Sequence, residues 1–176
     1  MKNLNTKNKG FTLIEILVVI GIIAILAGIV VIAINPARQF AQARNSQREA
    51  NVNAILNSIG QNLADNKGIF TCDENGDGDT SDTGDSLSSS VVNLSKADFD
   101  IRRCVVPIYI AEIPFDPASG SNTCSLSGDD DCDDTGESYD TKYTVKLDST
   151  TGRVTVCAPL GVEAAISGSK PICVTR

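Results

Sequence analysis

The chain has 176 residues, with 22 Asp and Glu against 15 Lys and Arg, a formal net charge of −7, six cysteines and neither histidine nor tryptophan. This acidic balance argues against a dedicated nucleic-acid surface, which needs clustered Lys and Arg to neutralise phosphates. Without histidine, and with no serine in a nucleophile-elbow setting, the usual acyl-transfer and metal-hydrolase constellations cannot be built, so no enzyme is expected.

Residues 1–10 form a short basic leader with Lys2, Lys7 and Lys9, closed by Gly10. From Phe11 to Ile34 the chain is apolar except for Glu15 and a few small or neutral residues. A helix of that length reaches roughly 36 Å, enough for a hydrocarbon core of about 30 Å. An ordinary anchor and a secretory signal peptide are the competing readings. The stretch is long for a signal-peptide core of about 7–15 residues, and no small-x-small cleavage site follows it. Glu15 argues against a plain anchor, because a carboxylate in an apolar segment is costly and marks a partner or a function. Lys9, six positions back, is the nearest cation in the sequence.

The string Gly10-Phe11-Thr12-Leu13-Ile14-Glu15, followed by ILVVIGIIAILAGIVV, resembles the type IV pilins and the pseudopilins of type II secretion and DNA-uptake systems. The resemblance implies that a membrane prepilin peptidase cuts between Gly10 and Phe11 and methylates the new amino group of Phe11. It also implies that Glu15 pairs with the terminal amine of a neighbouring subunit. Burying the two charges together avoids leaving either alone in apolar surroundings. Copies of itself and other pilins, an inner-membrane assembly platform and membrane lipid are the partners so implied. Gly21, Ala24 and Gly28 are small residues on one side of the same helix and suit close helix packing, although random placement explains them about as well.

Asn35-Pro36 ends the apolar run, and a kink or local unwinding is expected there because proline removes a backbone donor and crowds the preceding turn. The related families usually carry a proline a few residues earlier, where this chain has Ile32. Beyond it, Ala37 to Asp65 reads as an amphipathic helix with Val52, Ile55, Leu56, Ile59 and Leu63 on one face. Arg38, Arg44 and Arg48 make this part basic. They are expected either to line a solvated face or to meet acidic lipid headgroups or acidic surfaces of neighbouring subunits. Asn66-Lys67-Gly68 supplies C-terminal helix signals.

From Ile69 onward there are 19 Asp and Glu against 8 Lys and Arg, a net of −11. Ser95 to Asp98 is read as the opening of a short helix. Lys142 to Leu147 and Arg153 to Cys157 are read as strands of an antiparallel hairpin across Asp148-Ser149-Thr150-Thr151-Gly152. The stretch YIAEIPFDP, residues 109–117, is similar to the loop after the helix in major pseudopilins, which leads into the sheet. Cys72, Cys104, Cys124, Cys132, Cys157 and Cys173 lie in the part a translocated chain exposes, so disulfides are favoured over zinc, for which there is no CxxC pair and no histidine. Among 15 connectivities, sequence proximity alone suggests 72 with 104, 124 with 132 and 157 with 173.

Two acidic loops raise the possibility of calcium as a cofactor. Asp73, Asn75, Asp77 and Asp79 match the opening of an EF-hand-type loop, but position twelve is Gly84 rather than Glu and no second helix follows. Asp129 to Asp134 is denser in carboxylates and lacks the glycine. A solvated polar loop is the plainer reading of both, and also of Asp129 with Asp131 as an acid–base pair.

The expected architecture is α+β, with a long N-terminal helix whose first half is transmembrane, packed on a small antiparallel sheet in a disulfide-bearing head. Its segments are a leader at 1–10, a membrane or filament-core helix at 11–34, an amphipathic half at 35–68 and an acidic head at 69–176. The expected role is a filament subunit, first a single-pass membrane protein and then part of an extracytoplasmic or cell-surface polymer. The alternatives are a membrane-tethered, calcium-dependent binding module that keeps its leader, and a secreted enzyme released near Ala37.

Overall fold

The computed structural model describes residues 10–72, 86–124, 132 and 137–176, except for the side chains of residues 32–34. Helix α1, Leu13–Ile34, follows from a run of Leu, Ile, Val, Ala and Gly interrupted only by Glu15 in its first turn. Its described large apolar side chains are exposed all the way round, as expected of a helix that finds its surroundings outside its own chain. Asn35 then adopts a left-handed conformation at φ 47, ψ 79. Its side-chain oxygen accepts from the Arg38 amide at 3.3 Å, and Pro36 takes the first position of helix α2, Pro36–Asp65. The proline lacks a donor where a helix start has no use for one, so the expected kink is a full break and restart.

Two compact units result, residues 1–39 and 40–176. In the second, α2 buries Val52, Ile55, Leu56 and Ile59, the apolar face read from the sequence, with Leu63 half-buried beside them. The helix closes at Lys67 and Gly68, both with positive φ, as the Gly68 amide reaches back to the Leu63 carbonyl at 2.7 Å. Buried Asn62 holds the chain that follows: its amide group donates to the Thr71 carbonyl at 2.9 Å and its oxygen accepts from the Thr71 amide at 3.0 Å.

The sheet comprises β1 (Val92–Ser95), β2 (Ser121–Asn122), β3 (Tyr139–Asp148), β4 (Arg153–Ala158) and β5 (Ile172–Thr175). All pairings are antiparallel, in the order β1-β3-β4-β5, with β2 also on β3. Tyr139, Thr141, Tyr143 and Val145 alternate inward along β3. Val154, Val156 and Ala158 do so along β4, and with the α2 face they form the core. The β3–β4 turn is fixed by Asp148, whose carboxylate accepts from the Thr150 and Thr151 amides at 2.8 and 3.2 Å, and by Gly152 at φ 69.

The expected helix at Ser95 to Asp98 is corrected: Ser95 ends β1 and a turn follows, because Asn93 and Ser95 bond to β3 and to Phe99. The short helix α3 begins later, at Ile101–Val105. Disulfides join Cys72 to Cys104, Cys124 to Cys132 and Cys157 to Cys173, with Cα atoms 4.7, 4.9 and 4.1 Å apart, and leave no free cysteine. The first ties the segment after α2 to α3, and the last links directly opposed residues of β4 and β5.

Candidate functional site

Gly10 and Phe11 precede α1 in exposed chain without regular secondary structure. Thr12 is the helix N-cap, and with Glu15 it makes a reciprocal capping box. The Glu15 carboxylate accepts from the Thr12 amide at 2.7 Å and from the Thr12 hydroxyl at 2.8 Å, while the hydroxyl accepts from the Glu15 amide at 3.3 Å. Within a single chain, the acid of the apolar helix is therefore held by a local polar partner. The Thr-x-x-Glu spacing carried that signal in the sequence, although Thr12 was not singled out there. Lys9, the local cation considered for Glu15, lies outside the described residues.

Leu13 to Val31 is long and apolar enough to cross a membrane, with a mean hydropathy of 3.1. Side chains added at Gly21 or Gly28 would meet nothing within 4 Å in the single chain, so that side of the helix is open. Asp73, Asn75, Asp77 and Asp79 lie outside the described residues, as do all but Cys132 of the second acidic loop. Among the described residues no cluster of three or more metal-ligating side chains occurs.

A second polar centre lies at the start of the head. Arg48, only 2 % exposed, donates from Nε to Asp116 Oδ2 at 2.6 Å and from Nη1 to Glu163 Oε1 at 2.5 Å. Arg44, one turn earlier, grips the same Glu163 with Nε at 2.8 Å and Nη2 at 2.6 Å. Neither expectation for Arg44 and Arg48 describes them in this chain: both are drawn inward to acids of their own head, whereas Arg38 stays exposed. Asp116 comes from the Ile-Pro-Phe-Asp-Pro string, and its Oδ1 also accepts the amides of Ala118 and Ser119 at 2.9 and 3.1 Å. Gly120 completes that loop at close quarters, since a Cβ there would lie 2.5 Å from the Asp116 nitrogen.

Burial pushes the Asp116 carboxyl up, but the Arg48 guanidinium and the two loop amides outweigh it and hold the group below the ordinary carboxylate range. The bidentate grip of Arg44, reinforced by Arg48, takes Glu163 down to about 2. Two cations and two anions thus cancel, and the arrangement anchors the Asp116 loop and the Glu163 segment to α2. Nothing in the sequence singled out Glu163, which lies 115 positions from Arg48.

Residues 5–31 match the family described as the prokaryotic N-terminal methylation motif, the class III prepilin leader of type IV pilins and pseudopilins. The chain carries a prepilin methylation motif. The match covers Gly10, Phe11, Thr12, Glu15 and almost all of α1, so the capping box and the apolar span belong to the prepilin segment. This motif supports a pilin-like or pseudopilin role in general and points to a structural protein rather than an enzyme. No curated protein and no solved structure matches the chain.

Proposed function

We propose that the chain is a structural subunit of a type IV pilus-like or type II secretion pseudopilus filament. A prepilin peptidase cuts it between Gly10 and Phe11, methylates the Phe11 amine, and the mature subunit polymerises through α1. The observation that carries this reading is the methylation motif over residues 5–31, set on a helix whose described large apolar side chains all face outward. Such a helix has two suitable surroundings, lipid before assembly and other α1 helices after it.

Cleavage creates a cation at Phe11, and Glu15 of an adjoining copy is the complementary anion. In the unassembled chain Thr12 keeps that carboxylate hydrogen-bonded, so assembly exchanges one set of polar partners for another and leaves no bare charge in apolar surroundings. The head, with its disulfides and acidic exterior, stays in solvent on the oxidising side of the membrane.

Mass spectrometry of the mature protein tests the processing step: methyl-Phe at position 11 as the first residue is expected, and an intact leader overturns it. Replacing Glu15 with Val should leave cleavage unchanged and stop incorporation beside wild-type subunits. An undiminished filament yield from that variant refutes the pairing.

A further inference from the structure

The three disulfides differ in how far solvent reaches them. Cys72 and Cys104 are both buried, at 3 and 6 % exposure. Cys132 is 1 % exposed, and its partner Cys124 packs half-buried against the same core. In the third bond Cys157 is half-buried and Cys173 is exposed. The pleat is the cause. Val154, Val156 and Ala158 of β4 turn inward, so Cys157 between them turns outward, and its directly opposed partner Cys173 does the same. The bond therefore lies on the sheet face turned away from the core, on the same side as the Thr155 and Thr175 hydroxyls, which are 2.8 Å apart. Among the described strands β5 is also an edge, paired with β4 alone.

We propose that Cys157–Cys173 is a thiol-exchange site of the folded head, where a dithiol opens and recloses a staple on β5. A thiolate of the dithiol attacks Sγ of the exposed Cys173; a mixed disulfide forms as the Cys157–Cys173 bond breaks and its electron pair leaves on Cys157 Sγ. The second thiol of the reductant then loses its proton, attacks the reductant sulfur of the mixed disulfide, and releases Cys173 as a thiolate. Both head cysteines take up protons, two electrons have passed to the head, and the reductant ends as its own disulfide. Lys146 assists the first step. Thr144 opposes Cys157 and Lys146 opposes Thr155, so Lys146 stands diagonally from Cys157 on the same face, a spacing of about 7–8 Å that a lysine side chain spans. Its positive charge favours the leaving thiolate.

The rest of the head stays fastened when this bond opens. Glu163, in the connection from β4 to β5, remains gripped by Arg44 and Arg48. The ladder beside the bond persists, including the reciprocal amide-to-carbonyl bonds of Val154 and Arg176 at 2.8 and 3.0 Å. Reduction thus loosens the four residues of β5, Ile172–Thr175, and bares the edge of β4 when they fray. The site lies wholly within the head, so it is independent of how α1 is housed.

The oxidised full-length chain in detergent is treated with dithiothreitol under native conditions, quenched with N-ethylmaleimide at intervals and mapped by mass spectrometry. Cys157 and Cys173 should be labelled together and several-fold faster than the other four cysteines, while near-UV circular dichroism keeps the signal of a folded head. Hydrogen exchange at that stage should be faster at the Val156 and Val174 amides and unchanged at Ile55 and Ile59 in α2. Earlier opening of Cys124–Cys132 or Cys72–Cys104 overturns the proposal. Opening of all three bonds together, with loss of the dichroism signal, also overturns it, because reduction then requires unfolding. Lys146→Gln should slow the labelling of Cys157 and Cys173 several-fold and leave that of Cys124 and Cys132 as it is. An unchanged rate at Cys157 and Cys173 overturns the role given to Lys146.

Discussion

Replacing Arg48 with Ala tests whether the head is held to α2 by its buried ion pair. The guanidinium is almost fully buried between Asp116 and Glu163, and its loss strands the Asp116 carboxylate, which is buried as well, among loop amides. Removing one partner of a buried pair costs about 3–5 kcal/mol, because the remaining charge loses its compensation in a medium that solvates it poorly. For a head of this size, 1 kcal/mol corresponds to about 3–4 °C in midpoint, so a fall of roughly 10–20 °C is expected. Near-UV circular dichroism of the detergent-solubilised full chain, with disulfides intact, reads it. Arg44→Ala is the control: its side chain is about one-third exposed and Arg48 still holds Glu163, so its midpoint should fall far less. Adding Asp116→Asn to an Arg48→Met background removes the stranded charge, and the double variant should fall short of the summed single losses by about 1–3 kcal/mol. Equal midpoints for Arg48→Ala and Arg44→Ala refute the argument.

The pH dependence has a definite sign. Asp116 and Glu163 titrate below their unfolded values of about 3.9 and 4.3, so their stabilisation is complete above those values and is lost as pH falls towards about 2. The wild-type midpoint should therefore drop more steeply than that of Arg48→Ala below about pH 4.5, as followed by thermal melts at a series of pH values. Gly120→Ala forces a Cβ against the Asp116 backbone and should destabilise by about 1–3 kcal/mol in a denaturant titration. Thr12→Ala removes the N-cap hydroxyl, and faster hydrogen exchange at the Glu15 amide, measured in micelles, is the expected result. Replacing Cys157 and Cys173 together by Ala opens a 16-residue loop and should cost about 3 kcal/mol by the same denaturant assay.

What the sequence disclosed was local. The α2 face at Val52, Ile55, Leu56 and Ile59 was legible because burial on a helix repeats every three or four residues, and the β3–β4 hairpin because Asp148 and Gly152 dictate a turn between alternating strands. Strand β1 was misread around Ser95 because four residues with one bulge carry too little alternation to outweigh a polar, helix-opening look. Strand β5, only four residues long, has half-buried and exposed positions in alternation and offers a similarly weak signal. The fate of Arg44 and Arg48 was illegible for another reason. A helix pattern reports which positions face the core and says nothing about acids 68 to 119 positions away that the fold brings to them.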